Sequence, residues 1–351
     1  MNIYFSREHY NPEYRGYVFP LLKPFLKSKD FTVAQRKAMY GVSENNFKIV
    51  TDIDNSDVCI LTMSWNYYVI NKKLDQAIEF IEFSRKHHKK VWIVNVLDSP
   101  LKLPNFKNCI LFEPGVYASK LKSFQNVIPV FIQDPLKLYY KTDSFIARPY
   151  NSIPTVGFCG LADGSILNKY ERLLKILLRN FASYLGLRHL KTETLIEPAY
   201  LRHRVMALIE NSKVINSNFI IRSHYSAGKQ KKNDKVQSHT LEFYDNIRDS
   251  DYVLCIRGAG NFSVRFYETL AMGRIPIFIN TDSVLPLSHV IPWKHHVVWV
   301  EYDELHLIEE KIVRFHQQLN ERTLNDLFKR NRKLWDSKLC LSDYFKLTYH
   351  G

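Results

Sequence analysis

Residues 252–286 read YVLCIRGAGNFSVRFYETLAMGRIPIFINTDSVLP. Residues 252–256 are an apolar run of strand length, and residues 257–262 form a turn that carries two glycines. Residues 263–272 repeat apolar side chains at helical spacing, Gly273 stops the helix, and residues 275–279 are a second apolar run. Strand, turn, helix and strand in this order, with strands apolar throughout, describe a parallel sheet covered by helices on both faces. Gly258 and Gly260 let the backbone turn sharply and approach a ligand closely. The helix that starts near Asn261, Phe262 and Ser263 points unbonded N–H groups and its positive end into the turn, which suits an anion. Arg257 and Arg265 add two guanidiniums fitted to bidentate phosphate contacts. Glu268 shares a helix face with Arg265 and is placed to accept hydrogen bonds from a ribose diol. A surface ion pair of Arg265 with Glu268 on an ordinary crossover is the plainer account, and the turn is not a GxGxxG fingerprint.

The same alternation runs outward from this segment. Residues 2–5, 57–63, 91–97, 109–112 and 127–132 read as strands in the first half, with a helix over 73–88. Residues 134–154 carry Pro135, Pro149 and Pro154 and break the rhythm. It then restarts: strands over 155–159 and 218–222, helices over 168–185, 199–210 and 240–248, and closing helices over 303–319 and 322–335. The expected organisation is α/β, with a Rossmann-like domain over 1–150, a second over 151–320, and a helical tail over 321–351. The tail is of a kind that can cross back to the first domain. A ligand cleft is expected at the carboxyl ends of the strands.

Composition narrows the function classes. The 351 residues are 46% hydrophobic and 24% charged, which excludes wholesale disorder. Forty-nine basic against 35 acidic side chains leave a net charge of +14, which favours anionic partners. There is no helix-turn-helix, zinc-finger or ribonucleoprotein signature, so nucleic acid is not an expected partner. The five cysteines are scattered without a CxxC pair, which fits a reducing compartment and no structural zinc. No secretory leader is legible at Met1–Tyr10, and no window approaches 18 uncharged apolar residues. The expected location is therefore cytoplasmic, with peripheral contact at the inner face of a membrane through the basic surface.

The order of motifs resembles the exostosin-type glycosyltransferases. That family has an Arg-Gly turn, a Ser-x-Arg-Phe-x-Glu-x-Leu helix, a Gly-x-Ile-Pro step into a strand, then Leu-Pro and Val-Ile-x-Trp elements. Here these are Arg257–Gly258, residues 263–270, residues 273–276, Leu285–Pro286 and residues 290–293; residues 243–245 (FYD) and 157–160 (GFCG) also match. The resemblance implies a GT-B architecture, two Rossmann-like domains with parallel sheets facing a central cleft. It implies an inverting transfer from a nucleotide-sugar donor, with UDP as the expected nucleotide, and no metal or other cofactor. Carried over residue by residue, Glu268 binds the ribose, while Arg257, Arg265 and the helix start at Ser263 hold the diphosphate. Gly160 falls within the second matching stretch. The chain reads as a stand-alone, bacterial-like member that builds surface polysaccharide or lipopolysaccharide, with a glycan or glycolipid acceptor.

Inverting transfer needs a general base on the acceptor side. Glu8 and His9 lie in a polar loop after the first strand, and Asp98 follows the strand over 91–97. Either Glu8 or His9 could serve, His9 with Asp98 as orienting partner in the manner of some other GT-B enzymes, or Asp98 could act directly; the plainer account is a solvated loop or acceptor contacts. Trp65 and Tyr67 are acceptor-stacking candidates, though packing against a helix accounts for them equally well. Arg222 ends a strand and is a candidate donor-phosphate contact. Four lysines within 229–235 read as a solvated loop or as a contact for anionic acceptor or headgroups. The paired histidines His87–His88 and His295–His296 are structural rather than metal ligands. Two other functions fit the same fold: a fucosyltransferase-like enzyme with a guanosine donor, whose Glu-Asn-Ser preamble is missing here, and a non-catalytic nucleotide- or glycan-binding protein.

Overall fold

The continuous apolar runs of the chain become parallel strands because only a sheet covered on both faces can bury them without alternation. The computed structural model describes residues 1–27, 31–98, 101–104, 106–222 and 234–350. Strands β1 (Asn2–Tyr4), β2 (Lys48–Ile49), β3 (Val58–Ile60), β4 (Val91–Val94), β5 (Cys109–Glu113) and β6 (Gln125–Val127) form one sheet in the order β2-β1-β3-β4-β5-β6. Helices α1 (Val33–Tyr40), α2 (Trp65–Ile70) and α3 (Leu74–Lys86) lie in its connections. Strands β7 (Thr155–Leu161), β8 (Asn216–Arg222), β9 (Tyr252–Cys255), β10 (Ile275–Asn280) and β11 (Val298–Glu301) form a second sheet in the order β11-β10-β9-β7-β8. Around it run α4 (Ile166–Tyr184), α5 (Pro198–Glu210), α6 (Asp234–Arg248), α7 (Val264–Ala271), α8 (Ile308–Gln317) and α9 (Glu321–Leu334). Every strand pair in both sheets is parallel. The two-sheet α/β architecture expected from the sequence is the one observed.

Each sheet reverses its strand order once, between β1 and β3 and between β7 and β9. Connections that leave neighbouring strands on opposite faces part at such a point, and a crevice opens outside the carboxyl ends. The crevice of the second sheet lies between the end of β7 and the turn after β9.

Beyond α9 the chain returns to the first sheet. Helix α10 (Leu341–His350) lays Phe345 against Trp92, with ring centroids 5.6 Å apart, and edge-on to Phe112 at 5.5 Å. The Tyr344 hydroxyl donates to the Val127 carbonyl at 3.0 Å. On α9, Arg332 pairs with Asp134 and donates to the Ala271 carbonyl at 2.7 Å, tying the inter-sheet connection to α7.

Several boundaries differ from expectation. The last strand of the first sheet is Gln125–Val127, not 127–132, because Gln125 gives its amide to buried Glu113 at 2.6 Å. Residues 65–70 form a helix, started by Ser64, whose hydroxyl accepts from the Tyr67 N–H at 3.4 Å. Helix α6 begins at Asp234 rather than at 240, and residues 223–233 of the basic loop lie outside the described residues. Helix α1 and strands β2 and β11 had no counterpart in the sequence reading, while α10 falls within the expected helical tail over 321–351.

Phe345 is fully buried against the first sheet. Phe345→Ala should therefore destabilise the protein by about 3–5 kcal/mol. The check is the urea unfolding midpoint, with unchanged stability meaning that the tail does not complete this core.

Candidate functional site

A cavity of about 680 Å³ occupies the β7/β9 crevice. Its floor is the end of β7, where Arg265 from the first turn of α7 reaches across. The Arg265 guanidinium lies 4.1 Å over the Phe158 ring and 5.6 Å from the Phe243 ring, and it donates to the Cys159 carbonyl at 2.7 Å. Gly160 makes this approach possible, since a Cβ there would stand 2.7 Å from Arg265 Nη2.

The turn between β9 and α7 closes on itself through the Gly258 N–H, which donates to the Phe262 carbonyl at 2.9 Å. A Cβ on Gly260 would lie 2.5 Å from the Phe262 ring and 3.0 Å from the Asp98 carbonyl, so any larger residue would have to displace the Phe262 ring. Ser263 occupies the N-cap of α7 without capping it through its side chain. Ser263 and Val264 line the cavity, so the start of α7 faces the space that the sequence assigned to an anion.

Glu268, one turn deeper, also lines the cavity and accepts from the Tyr244 hydroxyl at 3.2 Å. Tyr244 is itself fixed by stacking on Tyr139 at 4.9 Å. Burial raises the Glu268 carboxyl above its usual 4.5, while Arg265 and the Tyr244 hydroxyl pull the other way. Arg222 lines the cavity from the end of β8, held by the His239 carbonyl at 2.8 Å and by Glu242 at 2.6 Å.

Gly160, Arg222, Gly258, Gly260, Phe262, Ser263, Arg265 and Glu268 thus meet around one space. Two expected members do not. Arg257 is buried and turned toward the first unit, donating to the Tyr117 hydroxyl at 3.1 Å and to Thr194 Oγ1 at 2.8 Å. Asn261 is buried as a clamp, with its amide on the Asp282 carbonyl at 3.1 Å and its oxygen accepting from Thr281 at 2.8 Å. Both fix the turn rather than face the cavity.

Two arginines escaped the sequence reading. Arg172 on α4 lines the cavity and pairs with Glu197 and Asp163, each at 3.0 Å. Arg202 on α5 lines it too, donating to the Leu161 carbonyl at 3.1 Å and the Arg257 carbonyl at 2.8 Å. The available signal was Glu197–Pro198, an N-cap followed by proline at the first helical position. It marks a helix that starts at the same crevice and carries Arg202 in its second turn.

Among the described residues, Asp98 is the one from the first unit that lines the cavity. Its carboxyl is raised above the usual value by partial burial. His9 is elsewhere: its Nδ1 is paired with the Tyr68 hydroxyl at 2.8 Å, its ring packs on Phe80, and burial lowers its pKa. Among the described residues no hydrogen bond joins His9 to Asp98, so that dyad is not formed. Glu8 is exposed and outside the cavity lining. Trp65 and Tyr67, expected to stack on an acceptor, are buried on α2 instead. The Trp65 N–H donates to the Lys102 carbonyl at 3.1 Å, and the Tyr67 ring packs edge-on to Tyr68 and Tyr14. Neither ring presents a face to a sugar.

Comparison with known proteins agrees with the motif order. Residues 192–314 match the family model of the Exostosin GT47 domain, so the exostosin-type resemblance is shown over that segment. The 157–160 stretch lies outside it. A probable glucuronosyltransferase of Oryza sativa subsp. japonica is 30% identical over 101 residues, 29% of this chain and 22% of its own length. A probable beta-1,4-xylosyltransferase of Arabidopsis thaliana is 33% identical over 67 residues, 19% of this chain and 16% of its own. The chain thus aligns with about a fifth of these relatives' length. Among solved structures, TarM overlaps 75% of this chain and 51% of its own, with TM-score 0.33 and 10% identity. The catalytic domain of starch synthase IV from Arabidopsis thaliana overlaps 85% and 56%, with TM-score 0.27 and 16% identity. At those scores the fold rests on the strand order described above.

A carboxylate accepts hydroxyl hydrogen bonds more strongly than the protonated acid, in which one oxygen becomes a donor. Affinity for uridine diphosphate should therefore be full above the raised pKa of Glu268 and fall as the pH drops through it. Glu268→Gln should bind about ten- to a hundredfold more weakly at neutral pH, without that dependence. Calorimetric titration at several pH values checks both, and equal affinities would remove Glu268 from the ligand.

Proposed function

We propose that the protein transfers a sugar from a nucleoside diphosphate, UDP in the first place, to a hydroxyl of a glycan or glycolipid, with inversion and without a metal ion. One observation carries this reading. The start of α7, Arg265, Arg222 and Glu268 converge on a single cavity at the strand-order reversal, where α/β sheets bind nucleotides. The exostosin-type match over residues 192–314 supports it, as do relatives named for glucuronosyl and xylosyl transfer.

In the proposed reaction the diphosphate lies against the start of α7 and the two arginines, and the ribose hydroxyls donate to Glu268. The acceptor hydroxyl attacks the anomeric carbon as the bond to the diphosphate oxygen breaks. The bonding pair leaves on that oxygen, where charge grows. Fixed guanidiniums and helix N–H groups lower the barrier by meeting the charge without reorganising. The hydroxyl proton passes to Asp98, the residue that lines the cavity from the other unit. Its raised pKa makes it a stronger base than an aspartate of ordinary pKa. The product would belong to surface polysaccharide or lipopolysaccharide, made on the cytoplasmic side.

Three measurements test this. Uridine diphosphate should raise the thermal midpoint and guanosine diphosphate should not; the reverse would point to a guanosine donor, and no shift with either would sink the nucleotide site. Transfer should persist in excess EDTA. Asp98→Asn should lower kcat by about a hundred- to ten-thousandfold while leaving uridine diphosphate affinity unchanged. Full turnover in that variant would place the base elsewhere.

A further inference from the structure

Helix α4 is amphipathic in the reverse sense for a globular protein. Leu167, Tyr170, Leu174, Leu178, Phe181 and Tyr184 recur at steps of three and four, which puts them on one side of a 3.6-residue helix. That side faces outward, and these six residues are 82%, 61%, 56%, 60%, 62% and 84% exposed. The side facing the protein is mostly polar, with Ile176 buried among its polar residues. Arg172 is held by Glu197 and Asp163, Arg179 by Glu193 at 3.4 Å, and Asn180 donates to the Glu193 carbonyl at 2.8 Å. The Ser183 hydroxyl bonds the Leu190 carbonyl, and Lys102 reaches the Ser183 carbonyl at 2.8 Å. The helix is therefore anchored by ions and hydrogen bonds and offers its apolar stripe to whatever lies outside. A continuous stripe of this extent marks an interaction surface rather than scattered surface hydrophobes.

The charge around the stripe selects the occupant. Between residues 166 and 191 there are six basic side chains and one acidic, in a chain of net charge +14. Arg172, Arg179 and Lys191 are committed inward, the last to Glu113 at 2.6 Å. Lys175, its side chain 61% exposed and paired with the equally exposed Glu171 at 2.5 Å, and exposed Arg188 lie beside the stripe. Apolar residues flanked by lysine and arginine fit the boundary between acyl chains and anionic headgroups. No helix among the described residues is long and apolar enough to cross a membrane.

We propose that α4 lies in the surface of an anionic membrane, with its Leu167–Tyr184 stripe among the acyl chains and Lys175 and Arg188 at the headgroups. Arg172, on the inward side of the same helix, lines the cavity, so docking would bring the cavity mouth close to the lipid surface. The inference does not depend on sugar transfer, because vesicle binding is measured without donor or acceptor.

The experiment is sedimentation of the whole protein with vesicles of equimolar phosphatidylcholine and phosphatidylglycerol, and with phosphatidylcholine alone. Binding should require the anionic lipid and weaken at high salt. Leu174→Glu with Phe181→Glu should lower it by at least about tenfold. Both positions are exposed, so the unfolding midpoint should not move. Lys175→Glu with Arg188→Glu should weaken binding to the anionic vesicles without touching the stripe. No binding, equal binding to neutral vesicles, or binding kept by the Leu174/Phe181 variant would each overturn the proposal. So would a dimer in sedimentation velocity that this variant dissolves while the parent protein ignores vesicles.

Discussion

At the turn after β9 the two units approach through backbone that leaves little room for a side chain. At Gly260 a methyl group would collide with the Phe262 ring and with the Asp98 carbonyl of the opposite unit. At Gly115 it would come within 3.0 Å of the Asn261 N–H nitrogen. The turn after β9 is therefore wedged between its own helix and the carboxyl ends of the first sheet. Arg265 and Glu268 inherit their positions from that contact, because the turn sets where α7 begins. Close backbone approach of this kind is available only to glycine.

Around the wedge the arginines divide by whether they lie buried between the units or line the cavity. Arg257 spends its guanidinium on Tyr117, Thr194 and the Ala259 carbonyl. Arg274 is fully buried, with its donors on the Arg248 and Ile146 carbonyls and its plane over Phe328 at 4.6 Å. Burial lowers its pKa to about 9. These cations brace the connection between sheets, where a buried charge persists only if its donors are satisfied. Arg222, Arg265, Arg172 and Arg202 instead line the cavity. A basic composition thus has two physical uses here, and residue type alone does not separate them.

The first sheet depends on the last residues of the chain. Its core includes Phe345 and Tyr344, and its carboxyl-end carboxylate, Glu113, is neutralised by Lys191 from the second half. Asn95 and Gln125 complete the hydrogen bonds of that buried carboxylate, at 2.5 and 2.6 Å. The units are separate in topology but packed against each other, and Asp98 and Glu268 line one space.

The parallel α/β class was legible because it rests on local patterning: residues 91–94 and 252–255 are apolar without alternation, and helix-period residues stand between such runs. The helix of Arg265 and Glu268, with its glycine turn and Gly273 stop, was legible for the same reason, since caps, turns and periodicity act within a few residues. What escaped depends on partners distant in the chain. Strand β6 is polar and exists because Gln125 meets Glu113; α2 hides Trp65 and Tyr67 because the body packs around it. Arg257 and Arg265 are both arginines flanking one turn, yet only their surroundings turn one toward Tyr117 and the other toward the cavity. Periodicity showed that α4 has an apolar side, but not that this side faces out, because direction is set by Glu197, Glu193 and Asp163 holding the other. Local sequence determines which segments order and how; which face each presents is decided by the contacts it finds once the chain has closed on itself.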